Sequence, residues 1–388
     1  VDECEWFSQE PKLDVLDRQT GSVINTVQIA DHPCEDGAYK HLAQYGNDVN
    51  GTLPPEVFEL LPSLVSVNLD PQGADWNCSG SGEFQKCGYA SKYIITGSIP
   101  SEIGLCSHLQ CISLDYQRLE GSLPLSLGSL SLLEYLRLYD SAVTGEMPLA
   151  VVHLKSLMLL EVGGNDLNGT IPSEIGLLSN LTSLDLTWNA LTGTIPTEIG
   201  LVSSLEGLYL AFTGLNGTIP SEIGLMSNLT RLLLSDTGLT GTVPTEIWLM
   251  SSLTGLDLSS PGLTGTIPSE IGLLSSLMVL DLSSADVTGT IPSEIGLASS
   301  LEVLGLYDTG LTGTIPSEIG LMSSLTWLYL DETALTGTIP SEIGLMSSLE
   351  RLFLFQTGLN GTIPSGISEL CILANASMEE RNGTVVWS

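Results

Sequence analysis

The sequence predicts an α/β-type repeat solenoid, and three observations predict it. A glycine recurs at Gly97, Gly121, Gly145, Gly169, Gly193, Gly217, Gly241, Gly265, Gly289, Gly313, Gly337 and Gly361, twelve positions each 24 residues apart. Between the glycines runs the pattern LxxLxLxxNxLxGxIP, as in Leu181, Leu184, Leu186, Asn189 and Leu191. The phrase LTGTIPSEIGLMSSL at Leu311 to Leu325 returns nearly verbatim from Leu191 to Leu359. A fixed period of this length is the mark of stacked supersecondary units.

Each element follows from the pattern. The Leu-x-Leu pair has period two, so it marks a short strand with both leucines on one side and Ser183, Asp185 and Thr187 on the other. One unit cannot bury its leucine face alone; stacked units can, which joins the strands into a parallel concave sheet while the Pro-Ser-Glu-Ile-Gly segment returns along the other side. A solenoid remains one body however many units it has. Residues 1–50 do not scan as repeats and read as an N-terminal cap, 51–364 as the repeats, and 365–388 as the start of a C-terminal cap. An insertion at about 70–93, holding Cys78, Cys87 and a Gly-Ser-rich tip, reads as a disulfide-tied loop.

These residues resemble the extracellular, plant-type leucine-rich repeats, whose mark is the Gly-x-Ile-Pro after the strand. The wording LTGTIPSEIGLLSSL is most similar to the secreted and surface repeat proteins of diatoms and related algae. The resemblance implies a curved, twisted array with a short second sheet at the Leu-Thr-Gly-Thr-Ile step, and binding as the usual activity. It also implies an asparagine ladder at the strand ends. That asparagine stands at Asn165 and Asn189, and its slot elsewhere holds Thr213, Thr237, Pro261, Ala285, Thr309, Thr333 or Thr357. Threonine can share in such a ladder; Pro261 and Ala285 cannot, so the local geometry there is open.

The net charge is -34, and no lysine follows Lys155. Nucleic acid is excluded as a partner, because phosphate binding needs a positive stripe. Anionic membrane surfaces are disfavoured for the same reason, while cations, basic proteins and neutral glycans are allowed.

Seven cysteines sit towards the ends: Cys4, Cys34, Cys78, Cys87, Cys106, Cys111 and Cys371. End placement suits disulfide-closed caps in an oxidising compartment. Connectivity does not follow from sequence; the preferred pairs are Cys4 with Cys34, Cys78 with Cys87 and Cys106 with Cys111, with Cys87 to Cys106 as the alternative. Cys371 is left over. Similar algal proteins continue past such a Val-Val-Trp-Ser ending into a Cys-rich cap, so the resemblance implies a C-terminally incomplete chain. Val1 and the absence of a charged-then-apolar segment before Cys4 agree with a signal peptide already removed. No run approaches the ~20 apolar residues of a membrane span. Nine glycosylation sequons, at Asn50, Asn77, Asn168, Asn180, Asn216, Asn228, Asn360, Asn375 and Asn382, add to the secreted reading.

Catalytic signals are lacking. The histidines His32, His41, His108 and His153 show no metal-binding spacing, and His32 beside Cys34 reads as a cap rather than a ligand pair. No nucleophile elbow or phosphate-cradling loop is present, and nothing singles out a pair among the many carboxylates. The chain reads as a non-enzyme.

Three surface rows remain. Glu174, Glu198, Glu222, Glu246, Glu270, Glu294, Glu318 and Glu342 share one slot and read as a solvated acidic row; at ~5–8 Å in water each neighbour pair costs under ~1 kcal/mol. Diffusely held calcium is the one cofactor this row leaves open. Thr-x-Thr pairs, as at Thr192 and Thr194 or Thr312 and Thr314, form a second row, which some ice-binding solenoids use. The concave face is the third. It carries Tyr135, Arg137, Tyr139, Trp188 and Tyr209, then small or acidic residues, then Tyr307, Trp327, Tyr329, Asp331, Arg351, Phe353 and Phe355. Clustered exposed aromatics mark interfaces. The expected activity is therefore binding of a protein or glycan ligand, or assembly with itself, at the cell surface or in extracellular matrix. A receptor ectodomain or a secreted inhibitor is the alternative, and ice binding comes behind both.

Overall fold

The computed structural model describes residues 94–364 throughout, parts of 50–69, and the backbone of strands at 12–16, 23–28, 41–43, 378–381 and 384–387. It divides into two compact units, Val1–Thr192 and Gly193–Ser388.

In the first unit the strands His41–Ala43, Ser66–Asn68, Cys111–Ser113, Tyr135–Arg137, Leu159–Glu161 and Ser183–Asp185 pair in parallel, in chain order. The sheet thus begins within the segment read as a cap. In the second unit Gly207–Tyr209, Arg231–Leu233, Gly255–Asp257, Val279–Asp281, Val303–Gly305, Trp327–Tyr329 and Arg351–Phe353 do the same. Register never slips: from Cys111 on, every paired residue stands against the one 24 positions away, as Tyr329 against Phe353. The central leucines fix this. Leu136, Leu160, Leu184, Leu232, Leu256, Leu304 and Leu328 are all buried, and a one-residue slip would turn each of them to solvent.

The short second sheet forms at the Leu-Thr-Gly-Thr step, in pieces. In the second unit its longest piece has six strands, from Gly241–Thr242 to Gly358–Asn360. Gly313 has φ +81°, in the left-handed region where a side chain is strained, and its neighbours in the glycine column share that conformation.

The return segments are 3-10 helices, of five residues as in Ser173–Leu177 and Ser293–Leu297 and of three at Ile247–Leu249; among the described residues the one α-helix is Pro55–Leu60. Three residues per turn put Ile295 and Ala298 on one inward line. Gly296 has no room for a side chain, because an added Cβ would overlap the Glu318 carbonyl of the next repeat.

The strand-end ladder differs from expectation. Asn165 Oδ1 accepts from the Ser141 and Val143 amides at 3.0 and 2.9 Å, and its Nδ2 donates to Leu138, Val162 and Gly163. Threonines do less: Thr213, Thr309, Thr333 and Thr357 each donate to a carbonyl three residues back in their own repeat. Where Pro261 cannot take part, buried Ser260 does, accepting from the Thr237 amide and donating to Leu234 O, 26 residues away. In the repeat two before that of Asn165, Gln117 fills the slot, accepting from the Ile95 amide and donating to Leu69 O.

The cysteine expectation needs one correction. Cys111 is disulfide-bonded, but Cys106 is a buried thiol whose Sγ lies 3.6 Å from Phe58 O, so neither Cys106–Cys111 nor Cys87–Cys106 forms. The reason lies in the repeat: Cys106 fills the inward slot held elsewhere by Leu130, Leu154, Leu178, Val202 and Met226. Burial pushes its thiol up to about 11. Cys4, Cys34, Cys78, Cys87 and Cys371 lie outside the described residues, as do the insertion and the sequons at Asn77, Asn375 and Asn382.

Candidate functional site

The side of the main sheet away from the leucine core carries the candidate site. Because register is strict, residues 24 apart become neighbours, and in the second unit this gathers Tyr307, Trp327, Tyr329, Arg351 and Phe353. Tyr329 and Phe353 stack, with centroids 4.8 Å apart and planes at 10°. Tyr307 and Trp327 each meet the Tyr329 ring edge-on at 6.5 Å. The Arg351 guanidinium lies 4.6 Å from the Trp327 ring centroid, a cation–π arrangement. Tyr307 is 40% exposed, and the other rings are half-buried, as is Phe355. Asp331 is instead buried, and its Oδ1 has no hydrogen-bond partner. Desolvation raises its carboxyl above the ordinary range; a hydrogen bond from its own backbone amide opposes the shift, and the Glu332 charge adds to it.

In the first unit the corresponding face is polar. Arg137 Nε bonds Asp115 Oδ2 at 3.1 Å and lies 3.2 Å from Glu161 Oε2. Asp115 also accepts from the Tyr139 amide at 2.8 Å. Burial raises the Glu161 carboxyl to about 7; Arg137 opposes the shift, while Asp115 and Asp185 add to it. Burial raises Asp185 too, against the bonds it accepts from Thr187. Tyr139 packs edge-on to Tyr116, and the Tyr135 hydroxyl lies 3.9 Å from Met158 Sδ. Trp188 is 55% exposed at a left-handed strand end. In the second unit Tyr209 folds its ring over Gly207, apart from the Tyr307 group.

The other rows are in place. Each glutamate of the acidic row accepts a hydroxyl from the residue before it, as Ser317 to Glu318 at 3.1 Å. Among the described residues no group of three or more His, Cys, Asp or Glu is placed to hold a metal. Thr192, Thr240, Thr288, Thr312 and Thr336 donate their hydroxyls to the glycine carbonyl of the preceding repeat. The sequons at Asn168, Asn180, Asn216, Asn228 and Asn360 are exposed, and none falls on the aromatic face.

One surface escaped the sequence reading. Leu201, Leu225, Leu249, Leu273, Leu297, Leu321 and Leu345 are each more than half exposed, a leucine stripe along the 3-10 side of the second unit. Its signal was the invariant last letter of SEIGL.

A stacked parallel array of 24-residue units over a leucine core is the fold of leucine-rich repeat solenoids. Residues 180–201 match the Leucine Rich Repeat family model. No curated protein matches the chain. Among solved structures it is similar to PEPR1 in the PEPR1–AtPEP1 complex, with 31% identity and TM-score 0.74 over 92% of this chain and 47% of that one. It is similar to the plant peptide hormone receptor RGFR1 in complex with RGF2, with 27% identity and TM-score 0.66 over 85% and 58%. A TDR receptor gives 28% identity and TM-score 0.70 over 86% and 61%. The chain therefore spans less than two thirds of these three chains, 47% to 61%.

Proposed function

We propose that the protein is a non-enzymatic extracellular binding module that takes a peptide or protein segment on the outer face of the main sheet in its second unit. One observation carries this reading: Tyr307, Trp327, Tyr329, Arg351 and Phe353 form a connected, part-exposed group on adjacent strands. Exposed rings held in fixed mutual geometry supply large contact area at little entropic cost. The likeness to a plant peptide hormone receptor supports a peptide as ligand, and the resemblance of the repeat wording to algal surface proteins supports a setting at the cell surface or in extracellular matrix. The test is selection of a random peptide library on the wild-type protein, with counter-screening on a Trp327→Ala/Phe353→Ala variant. Enriched peptides should lose at least about tenfold in affinity on the variant, as hot-spot removal does. Peptides that bind both proteins equally would refute the assignment.

A second reading, assembly of copies, is favoured by the leucine stripe beside the acidic row. Light scattering with calcium and then with chelator tests it. Leu249→Gln/Leu297→Gln should reduce the assembled fraction if the stripe is the contact, and a monomer under both conditions would dismiss it.

A further inference from the structure

The aromatic group flanks one residue whose carboxyl keeps an unpaired oxygen. Asp331 is 6% exposed, and its Oδ1 has no donor. The backbone places it between two aromatics: the Asp308 amide bonds Asp331 O, and the Glu332 amide bonds Phe355 O, so Tyr307, Asp331 and Phe355 hold one slot in three successive repeats. Tyr329 stands two residues earlier on the same face of its strand.

A buried carboxylate with an unpaired oxygen costs free energy that an apolar residue there would not. The protein's own nearby cation does not relieve it, since the Arg351 guanidinium is turned onto the Trp327 ring. A metal is a poor complement: among the described residues no group of three or more His, Cys, Asp or Glu is placed to hold one, and calcium takes six to eight oxygens. A flat, weakly hydrated cation is a good one: a guanidinium donates two parallel N–H groups to a carboxylate and stacks on aromatic faces, which a compact ammonium does less well. The contact of Arg351 with Trp327 shows the same chemistry on the same sheet face.

We propose that Asp331, with Tyr307, Tyr329 and Phe355 around it, forms a subsite for one arginine side chain of a bound peptide. This rests on the peptide-binding reading above and names the residue class that the face selects.

The test uses N-acetyl-arginine amide as probe and its citrulline analogue, which keeps the shape and removes the charge, read by ligand-observed NMR on the full chain at physiological salt. The wild type should bind the arginine probe at least about tenfold more tightly than citrulline, as expected for one charge-assisted bidentate pair. Asp331→Asn should erase that preference. The variant removes one of 45 acidic residues, so general attraction to an acidic protein is left nearly intact. Retention of the preference by Asp331→Asn would overturn the proposal. Should that variant fail to fold, Tyr307→Ala/Phe355→Ala gives the answer: the preference must fall with the flanking rings, and its full survival would also overturn the subsite. Selected peptides that still lose binding on Trp327→Ala/Phe353→Ala, with no arginine preference in either assay, would leave the binding face standing and remove the subsite alone.

Discussion

The ring of Tyr329 lies parallel to that of Phe353, 4.8 Å away, and the two residues are direct register partners in the sheet. Adjacent strands of a sheet are themselves ~4.8 Å apart, so rings in one slot of successive repeats stack without tilting. The stack is a consequence of strict register. A double-mutant cycle on Tyr329→Leu and Phe353→Leu, measured by urea unfolding, should give a coupling of about 0.5–1.5 kcal/mol. A coupling near zero would mean that the rings do not stack in solution.

Glu161 makes stability depend on pH. Its carboxyl is raised to about 7 by burial, so between the ordinary carboxylate range and pH 7 the native state holds a proton that the unfolded chain has lost. Stability then falls as pH rises through that window, and the full penalty applies above it. Glu161→Gln should flatten the profile there and stabilise the protein at pH 8 by on the order of 2 kcal/mol, because Arg137 keeps Asp115 as its partner. An unchanged pH profile of the unfolding midpoint would contradict this.

Cys106 should behave as core rather than as cap. With its thiol pushed up to about 11, it should resist alkylation at pH 8 in the native state and react once the chain unfolds. Cys106→Val should be tolerated, whereas Cys106→Ser should cost about 1–3 kcal/mol by burying a hydroxyl. Mass spectrometry of the alkylated native protein and melting of the two variants check both halves.

Ser260 carries a strand-end bond that Pro261 cannot make. Ser260→Ala should cost about 1–3 kcal/mol by orphaning the Thr237 amide, measurable as a lowered unfolding midpoint. Ser259→Ala, which removes a hydroxyl bonded to Asp257 on the part-exposed outer face, should cost less.

Neighbouring residues of one return helix should respond in opposite ways. Gly296→Ala pushes a Cβ into the Glu318 carbonyl and should cost about 1–3 kcal/mol, as overpacking does. Leu297, 61% exposed, should accept glutamine within about 0.5 kcal/mol. Thermal melts of the two variants separate packing from composition.

The parts of this fold that repeat were legible before the structure. Leu184 and Leu186 point inward because strands alternate, and Trp327, Tyr329 and Phe353 come together because slots 24 apart are adjacent in a register without slips. The rest depended on geometry that letters do not carry. The return segment is 3-10, so Ile295 and Ala298 face inward while Leu297 between them faces out. Nearness to Cys111 suggests a disulfide for Cys106, whereas its repeat slot, shared with Leu130 and Leu154, points to the core. Ser260 replaces an asparagine only because a proline displaces the usual turn. Asp331 and Glu161 lie on the outward side of their strands, and their burial comes from neighbouring side chains that alternation does not predict.

On the proposed reading, ligand lies on the aromatic face of the second unit. Photo-crosslinking of a selected peptide bearing a benzophenone, followed by mass spectrometry, tests it most directly. Adducts should form on Tyr307, Trp327, Tyr329 and Phe355 and be lost in the Trp327→Ala/Phe353→Ala variant. Adducts confined to the threonine rows or to the leucine stripe of Leu201 to Leu345 would contradict it.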